Sequence, residues 1–253
     1  MRTLVVAFVL GAANVSAAQQ PLETETARLP SRGAFALNVA YELQTSSQGT
    51  EHAIPVAFEY GLTNRLALLI EPVFYTSIRP KHGRGATGPG DLEVTVQWLT
   101  NYETNALPAV ALAVEAKLPT ARDTLIGTQH ADVTPYLIAS KRMGPIAVHA
   151  NVGYSFVGKP RNVRVQNTVN FALAVTNQWS PRVELLAEVL SNTAAGADGT
   201  ESTSAPEIAG AEQVGMLGFR VALSSRRFFS LGVTYDNTNA LLLRPTLSFE
   251  SPF

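Results

Sequence analysis

The chain has 253 residues, a formal net charge of −1 and no cysteine. The charge balance gives no electrostatic argument for a nucleic-acid partner. The absence of cysteine excludes disulfides, a thiol nucleophile and cysteine-ligated metals. Only 15% of the residues are charged, fewer than the roughly 25% usual in soluble domains. The composition therefore indicates apolar surface spread over many short segments.

The first 18 residues have the pattern of a secretory signal peptide. Arg2 precedes a short apolar stretch at residues 4–13, and small residues follow up to Ala18. The stretch is shorter than the roughly 18 residues that a spanning helix needs. We predict cleavage after Ala17 or Ala18, and one domain over residues 19–253. An anchor helix and a buried core helix are the alternatives.

Beyond Leu22 the dominant pattern is an alternation of apolar and polar residues. In Asp91–Trp98, every second side chain is apolar and those between are polar or charged. Successive side chains of a strand point to opposite faces, so each segment has one apolar and one polar face. The pattern predicts about twelve strands, at residues 33–45, 50–61, 64–78, 90–99, 107–118, 130–141, 145–157, 164–178, 181–192, 211–223, 227–237 and 240–252.

The connections alternate in length, which is typical of outer-membrane barrels with short periplasmic turns and long external loops. Short turns are predicted at 62–64, 141–144, 179–181 and 224–226, and long loops at 79–89, 120–129, 158–163 and 193–210. The chain ends in an alternating strand with Phe253 last, typical of the signature that the outer-membrane assembly machinery reads. We therefore predict an all-β, antiparallel transmembrane barrel in the outer membrane of a Gram-negative bacterium. A secreted β-sandwich is the main alternative fold.

Aromatic residues and prolines refine this prediction. Aromatic side chains near strand ends are expected to form interfacial girdles: Tyr41, Tyr60, Phe74, Trp98, Tyr154, Phe156, Trp179, Phe229 and Tyr235. Prolines inside strands remove ladder hydrogen bonds, and a closed barrel has no free edge. We expect local bulges, or displaced strand ends, at Pro55, Pro72, Pro135 and Pro245.

Three short motifs resemble one family of outer-membrane barrels. They are Tyr60-Gly61-Leu62-Thr63-Asn64-Arg65-Leu66, Gly88-Pro89-Gly90-Asp91-Leu92-Glu93 and Leu118-Pro119-Thr120. Together they resemble the transporter-like family named after the meta-pathway of phenol degradation, over roughly residues 30–253. The resemblance implies a barrel that passes small molecules, with hydrophobic or aromatic compounds among the candidates. It implies no catalytic residue.

Charged residues on the polar faces are the candidate functional residues, because in a barrel these faces line the lumen. They form a charged path or binding site, or else a salt-bridge network that fills a narrow barrel. The candidates are Glu42, Glu59, Glu71, Asp91, Glu93, Glu115, Lys117, Asp132, His149, Glu184, Glu188, Arg220, Asp236 and Arg244.

Other motifs give weaker indications. The four histidines are scattered, so we predict no metal and no cofactor. Gly83–Gly88 matches a dinucleotide motif, but a strand pattern follows it instead of a helix, which favours a loop. His149 and Ser155 invite comparison with barrel hydrolases. They lie six residues apart on the same predicted strand, however, which separates them by about 20 Å. An outer-membrane hydrolase of lipids or esters is kept as the alternative function, and the preferred prediction is a protein that is not an enzyme.

The predicted external loops carry opposite charges. Lys81, His82 and Arg84 are basic, as are residues 159, 161 and 164, whereas 198, 201 and 207 are acidic. The charges predict contact with lipopolysaccharide phosphates, or pairing between loops that closes the mouth; ordinary solvated loops are the alternative. The 193–210 loop is long enough to fold into the lumen. We predict a narrow, cation-preferring channel for small molecules.

Overall fold

The computed structural model describes residues 23–159, 165–193, 211, 213–237 and 239–251. The predicted signal peptide, Phe253 and most of the 193–210 loop lie outside the described residues. The described part consists of fourteen strands without a helix. They are β1 (Phe35–Ala40), β2 (Glu42–Thr45), β3 (Gly49–Thr63), β4 (Leu66–Pro80), β5 (Ala86–Gly88), β6 (Leu92–Asn101), β7 (Ala109–Leu118), β8 (Asp132–Met143), β9 (Ile146–Ser155), β10 (Thr168–Ser180), β11 (Val183–Asn192), β12 (Gln213–Ala222), β13 (Arg227–Asp236) and β14 (Leu241–Glu250).

The strands form one closed antiparallel barrel. Each main strand pairs with its neighbours in the chain, and β1 closes the circle by pairing with both β3 and β14. Ala36 at this closure faces Glu59 on one side and Glu250 on the other. Because β1 and β2 occupy one position in the wall and β5 only adds to β4, the wall has twelve strands. The predicted barrel is confirmed, and the β-sandwich alternative is wrong.

Burial alternates along each strand as the sequence predicts. On β6, Thr95, Gln97 and Leu99 are buried, whereas Val96 and Trp98 are 44% and 52% exposed. The buried set faces the lumen and the exposed set faces outward, so this protein exposes its apolar side chains. Exposed apolar residues are a liability in water and are expected in contact with lipid. The described part of the chain contains no helix long and apolar enough to cross a membrane.

The two ends of the barrel differ in their connections. At one end, called the short-turn end, the connections are residues 64–65, 102–108, 144–145, 181–182 and 223–226. At the other, the long-loop end, they are residues 46–48, 81–91, 119–131, 156–167, 193–212 and 237–240. Trp98 and Trp179 lie near the short-turn end, and Tyr154 and Tyr235 near the long-loop end, all exposed. The outward aromatics therefore lie near both rims.

The strand boundaries depart from the prediction where proline interrupts the ladder. The pairing of β3 with β4 shifts register between Ile54 and Pro55, as expected of a bulge. The first predicted strand is divided at Tyr41, whose backbone N–H donates to the carbonyl oxygen of Pro245. No register shift occurs at Pro72 or Pro135, so the expected bulges there were wrong, but each proline lacks a partner on one side, where the β3–β4 and β8–β9 ladders have a gap.

Candidate functional site

Four glutamates form a stripe across the inward face of neighbouring strands. Glu71 on β4 lies directly opposite Glu93 on β6. Glu93 pairs with Lys117 on β7, and Glu115 is the next inward-facing residue along that strand. Glu59 on β3 pairs with Leu69 on β4, and Glu71 is the next inward-facing residue along β4. Directly opposite side chains have Cβ atoms about 4.5–5.5 Å apart and diagonal ones somewhat more, so this acidic stripe concentrates carboxyl groups on one side of the lumen.

Six other predicted residues form ion pairs on the inward wall. The Glu184 carboxylate lies 3.1 Å from an Arg220 guanidinium nitrogen, and Glu42 lies 3.2 Å from Nε of Arg244. Lys117 pairs with Asp132. For these residues the arrangement is a cross-strand ion-pair network, which fixes neighbouring strands through charge-assisted hydrogen bonds.

Two of the predicted carboxylates bind loop backbone at the long-loop end. Oδ1 of Asp91 accepts a hydrogen bond from the backbone N–H of Ala121 at 3.0 Å. Oδ1 of Asp236 accepts one from Ala240 N–H at 2.8 Å. Asp91 lies just before β6, beneath the 119–131 loop. These contacts make both residues anchors of the loops.

Residues 23–32, which precede β1, lie inside the barrel, and the sequence does not predict this position. Thr24, Ala27 and Pro30 are almost completely buried. The chain leaves the lumen at the short-turn end, where Gly33 N–H donates to Gly61 O at 2.8 Å. We call residues 23–32 the luminal segment. The segment occupies the part of the lumen next to the short turns.

Wall side chains bind the backbone of the luminal segment. Ala27 N–H donates to Oγ of Ser140 at 2.9 Å, and Nε2 of Gln97 donates to Thr26 O at 2.7 Å. Oε2 of Glu188 accepts from Thr24 N–H at 3.3 Å. These bonds replace the ladder that a neighbouring strand would supply and satisfy buried backbone groups.

Salt bridges hold both ends of the luminal segment. Glu23 pairs with Arg244, which also binds Glu42. Arg28 donates to Oε2 of Glu103 in the 102–108 turn at 2.9 Å. The segment is thus fixed at mid-barrel by one pair and at the short-turn end by the other.

Small inward side chains make room for the luminal segment. Ala109, Ala111 and Ala113 on β7 are buried and pack with Ala27 and Ile138 in one apolar cluster. Their alternation on the inward face lets the backbone of the segment approach the wall. Larger residues at these positions would fill the space that Ala27 occupies.

A cavity of about 470 Å³ lies beside the luminal segment and extends to residues next to the long loops. One side contains the acidic-stripe residues Glu71, Glu93 and Glu115. The other contains an apolar patch whose members belong to β11, β12 and β14: Leu190, Val214, Met216 and Leu242. A cavity of this kind suits a solute with a positive charge and an apolar body.

The pairing considered for a hydrolase is not formed. Ser155 contacts Thr134 and Asn170, whereas Nδ1 of His149 lies 2.8 Å from Oγ of Ser140 on the adjacent strand. Ser140 and His149 are both buried, and Ser140 also accepts from the luminal segment. This pair supports the segment. In the described ranges, no group of three acidic or histidine side chains is placed to hold a metal ion.

Two long loops are joined at the mouth by a bidentate ion pair. Arg84 donates to the two carboxylate oxygens of Asp123 at 2.5 and 2.9 Å. The Arg84 hydrogen bond, with a further bond from Leu125 N–H, lowers the pKa of Asp123 to about 2. Pairing between loops was expected, but with the acidic residues at 198, 201 and 207, which lie outside the described residues.

Comparisons with known proteins agree with this architecture. No known family's sequence profile matches the chain, and no curated protein is significantly similar to it in sequence. Among solved structures, a COG4313 outer-membrane channel from Pseudomonas putida F1 has a TM-score of 0.68 at 15% identity, over 88% of this chain and 97% of that one.

Two porins are also similar in structure. The KdgM porin, solved in complex with disordered oligogalacturonate, has a TM-score of 0.57 at 10% identity, over 86% of this chain and 99% of that one. The NanC porin has a TM-score of 0.57 at 11% identity, over 84% of this chain and 98% of that one. The chain therefore shares the fold of outer-membrane β-barrel channels.

Proposed function

We propose that this protein is an outer-membrane channel for small organic cations. The observation that carries the proposal is the 470 Å³ cavity between the acidic stripe and an apolar patch. Rings and stripes of carboxylates favour cations over anions in pores. The apolar side offers a surface to an aliphatic or aromatic body, which agrees with the aromatic solutes implied by the resemblance to the phenol meta-pathway family. The luminal segment narrows the path, so the conductance is small.

The same proposal includes the location of the protein in the cell and its partners. The outward apolar face contacts outer-membrane lipid, and basic residues of the long loops such as Lys81 bind lipopolysaccharide phosphates. Residues 1–18 direct export and are removed. The terminal strand with Phe253 is the contact for the assembly machinery.

Planar-bilayer recording tests the channel. Under a salt gradient, the reversal potential of the native protein should indicate cation preference. Replacement of Glu71, Glu93 and Glu115 by Gln should reduce that preference, because the fixed charge is removed. The matched control replaces the same three residues by Asp, which keeps the charge and should keep the preference.

Two results would contradict the proposal. One is an absence of conductance in the correctly folded native protein. The other is equal selectivity of the Gln and native proteins, since the stripe would then have no influence on permeation. Small aromatic amines should also reduce the potassium current more strongly than aromatic acids of the same size.

A further inference from the structure

Four buried side chains of the barrel wall bind backbone groups of the luminal segment. Gln97, Ser140, Asn151 and Glu188, on β6, β8, β9 and β11, are each at most 5% exposed. We call this set the backbone-binding wall. Buried polar groups are costly unless they are paired, and the luminal segment supplies these side chains with regularly spaced N–H and C=O groups.

Asn151 recognises one residue of the segment completely. In the orientation that satisfies its carboxamide, Oδ1 accepts from Glu25 N–H at 2.7 Å and Nδ2 donates to Glu25 O at 3.0 Å. A carboxamide presents one donor and one acceptor side by side. It is therefore complementary to the two backbone groups of a single extended residue, whatever its side chain.

The neighbouring contacts continue the same recognition. Oε2 of Glu188 accepts from the backbone N–H groups of Glu23 and Thr24 at 3.1 and 3.3 Å. On the other side of Asn151, Gln97 and Ser140 bind the two residues that follow Glu25. Six hydrogen bonds of the wall are thus made to backbone atoms of five consecutive residues, and another joins the Thr24 hydroxyl to Glu188.

We infer that the backbone-binding wall is a general site for a short extended peptide, which the luminal segment occupies as a built-in ligand. A separate peptide of the same length binds there when the segment is displaced. The inference does not depend on the passage of solutes, because binding can be measured without conductance.

Proline substitution tests whether the luminal segment can be displaced from the backbone-binding wall. Glu25→Pro with Ala27→Pro removes two of the N–H donors while keeping an extended backbone accessible. The luminal segment should then leave the wall, and trypsin should cleave after Arg28 at least tenfold faster than in the native protein, as read by mass spectrometry of the N-terminal fragment. The matched control, Glu25→Ala with Ala27→Ser, keeps both donors and should be cleaved at the native rate. Equal cleavage of the proline and native proteins would overturn the inference.

A binding measurement tests whether a separate peptide occupies the wall once the segment has been displaced. A fluorescent peptide with the sequence of residues 23–30 should bind the folded proline variant, as measured by anisotropy, and bind the native protein at least tenfold more weakly. The same peptide methylated on the Glu25 amide nitrogen should lose at least tenfold in affinity, whereas an unmethylated peptide with Ala at positions 24 and 26 should lose little. If the proline variant is cleaved rapidly but binds no peptide, or binds the methylated peptide equally well, the wall is not a peptide site. Either result leaves the proposed channel function unaffected.

Discussion

Individual residues of the wall are largely predictable, because the facing of a strand side chain follows from its position in an alternating sequence. The inward glutamates of the acidic stripe and the outward Val96 and Trp98 are examples. The partners of the inward residues could not be predicted. Glu188 binds a segment 164 residues away in the chain, and His149 binds Ser140 across a strand pair whose register the sequence does not specify.

The outward and inward faces of one strand should respond differently to a charge. Leu173 on β10 is 49% exposed on the outward face, whereas Ala172 lines the cavity. Leu173→Arg should reduce the free energy of unfolding by about 2–4 kcal/mol if the position lies near the bilayer midplane. Ala172→Arg should cost less, because its charge enters a polar space. Equilibrium denaturation in lipid vesicles measures both, and equal costs would contradict the lipid-facing assignment.

Secondary-structure elements were predictable where the hydrophobic period is regular. The strands from β6 to β9 agree with their predicted bounds within a few residues. The luminal segment was missed because residues 23–32 are mostly polar and too short to show a period. The alternating alanines of β7 are the signal that could have indicated it, since small inward residues leave space for another backbone.

The pair that joins two long loops should depend on pH. The pKa of Asp123 is lowered to about 2 in the folded protein, below its ordinary value of 3.8. The pair therefore stabilises the loop contact above pH 4 and is lost as the pH falls from about 4 to 2. Carbon-13 NMR of the carboxyl group should give the low pKa in the native protein and a clearly higher pKa in Arg84→Gln, still below 3.8 because the Leu125 N–H bond remains. An unchanged pKa in that variant would rule out this cause.

At the scale of the whole molecule, closure of the barrel was predictable, because a membrane-spanning sheet cannot leave an open edge. The sequence does not predict that the first strand is interrupted at Tyr41, which lies opposite Pro245. A proline in one strand affects the partner strand, and the partner is known only once the register is known.

A closed barrel should remain folded in detergent until it is heated. We expect the native protein to migrate faster on a denaturing gel before boiling than after it, since the barrel is more compact than the unfolded chain. Circular dichroism of the processed protein should show a β spectrum with almost no helix. Identical migration before and after heating, or a helix-rich spectrum, would contradict the fold.

The seam of the barrel has a consequence for the time course of assembly. Ala36 pairs with Glu250, so the first strand made has to wait for the last before the circle can close. Contacts this distant in sequence slow folding, and during the delay β1 keeps an unpaired edge that invites aggregation. We therefore expect the newly made chain to require a chaperone until its last strand has been synthesised.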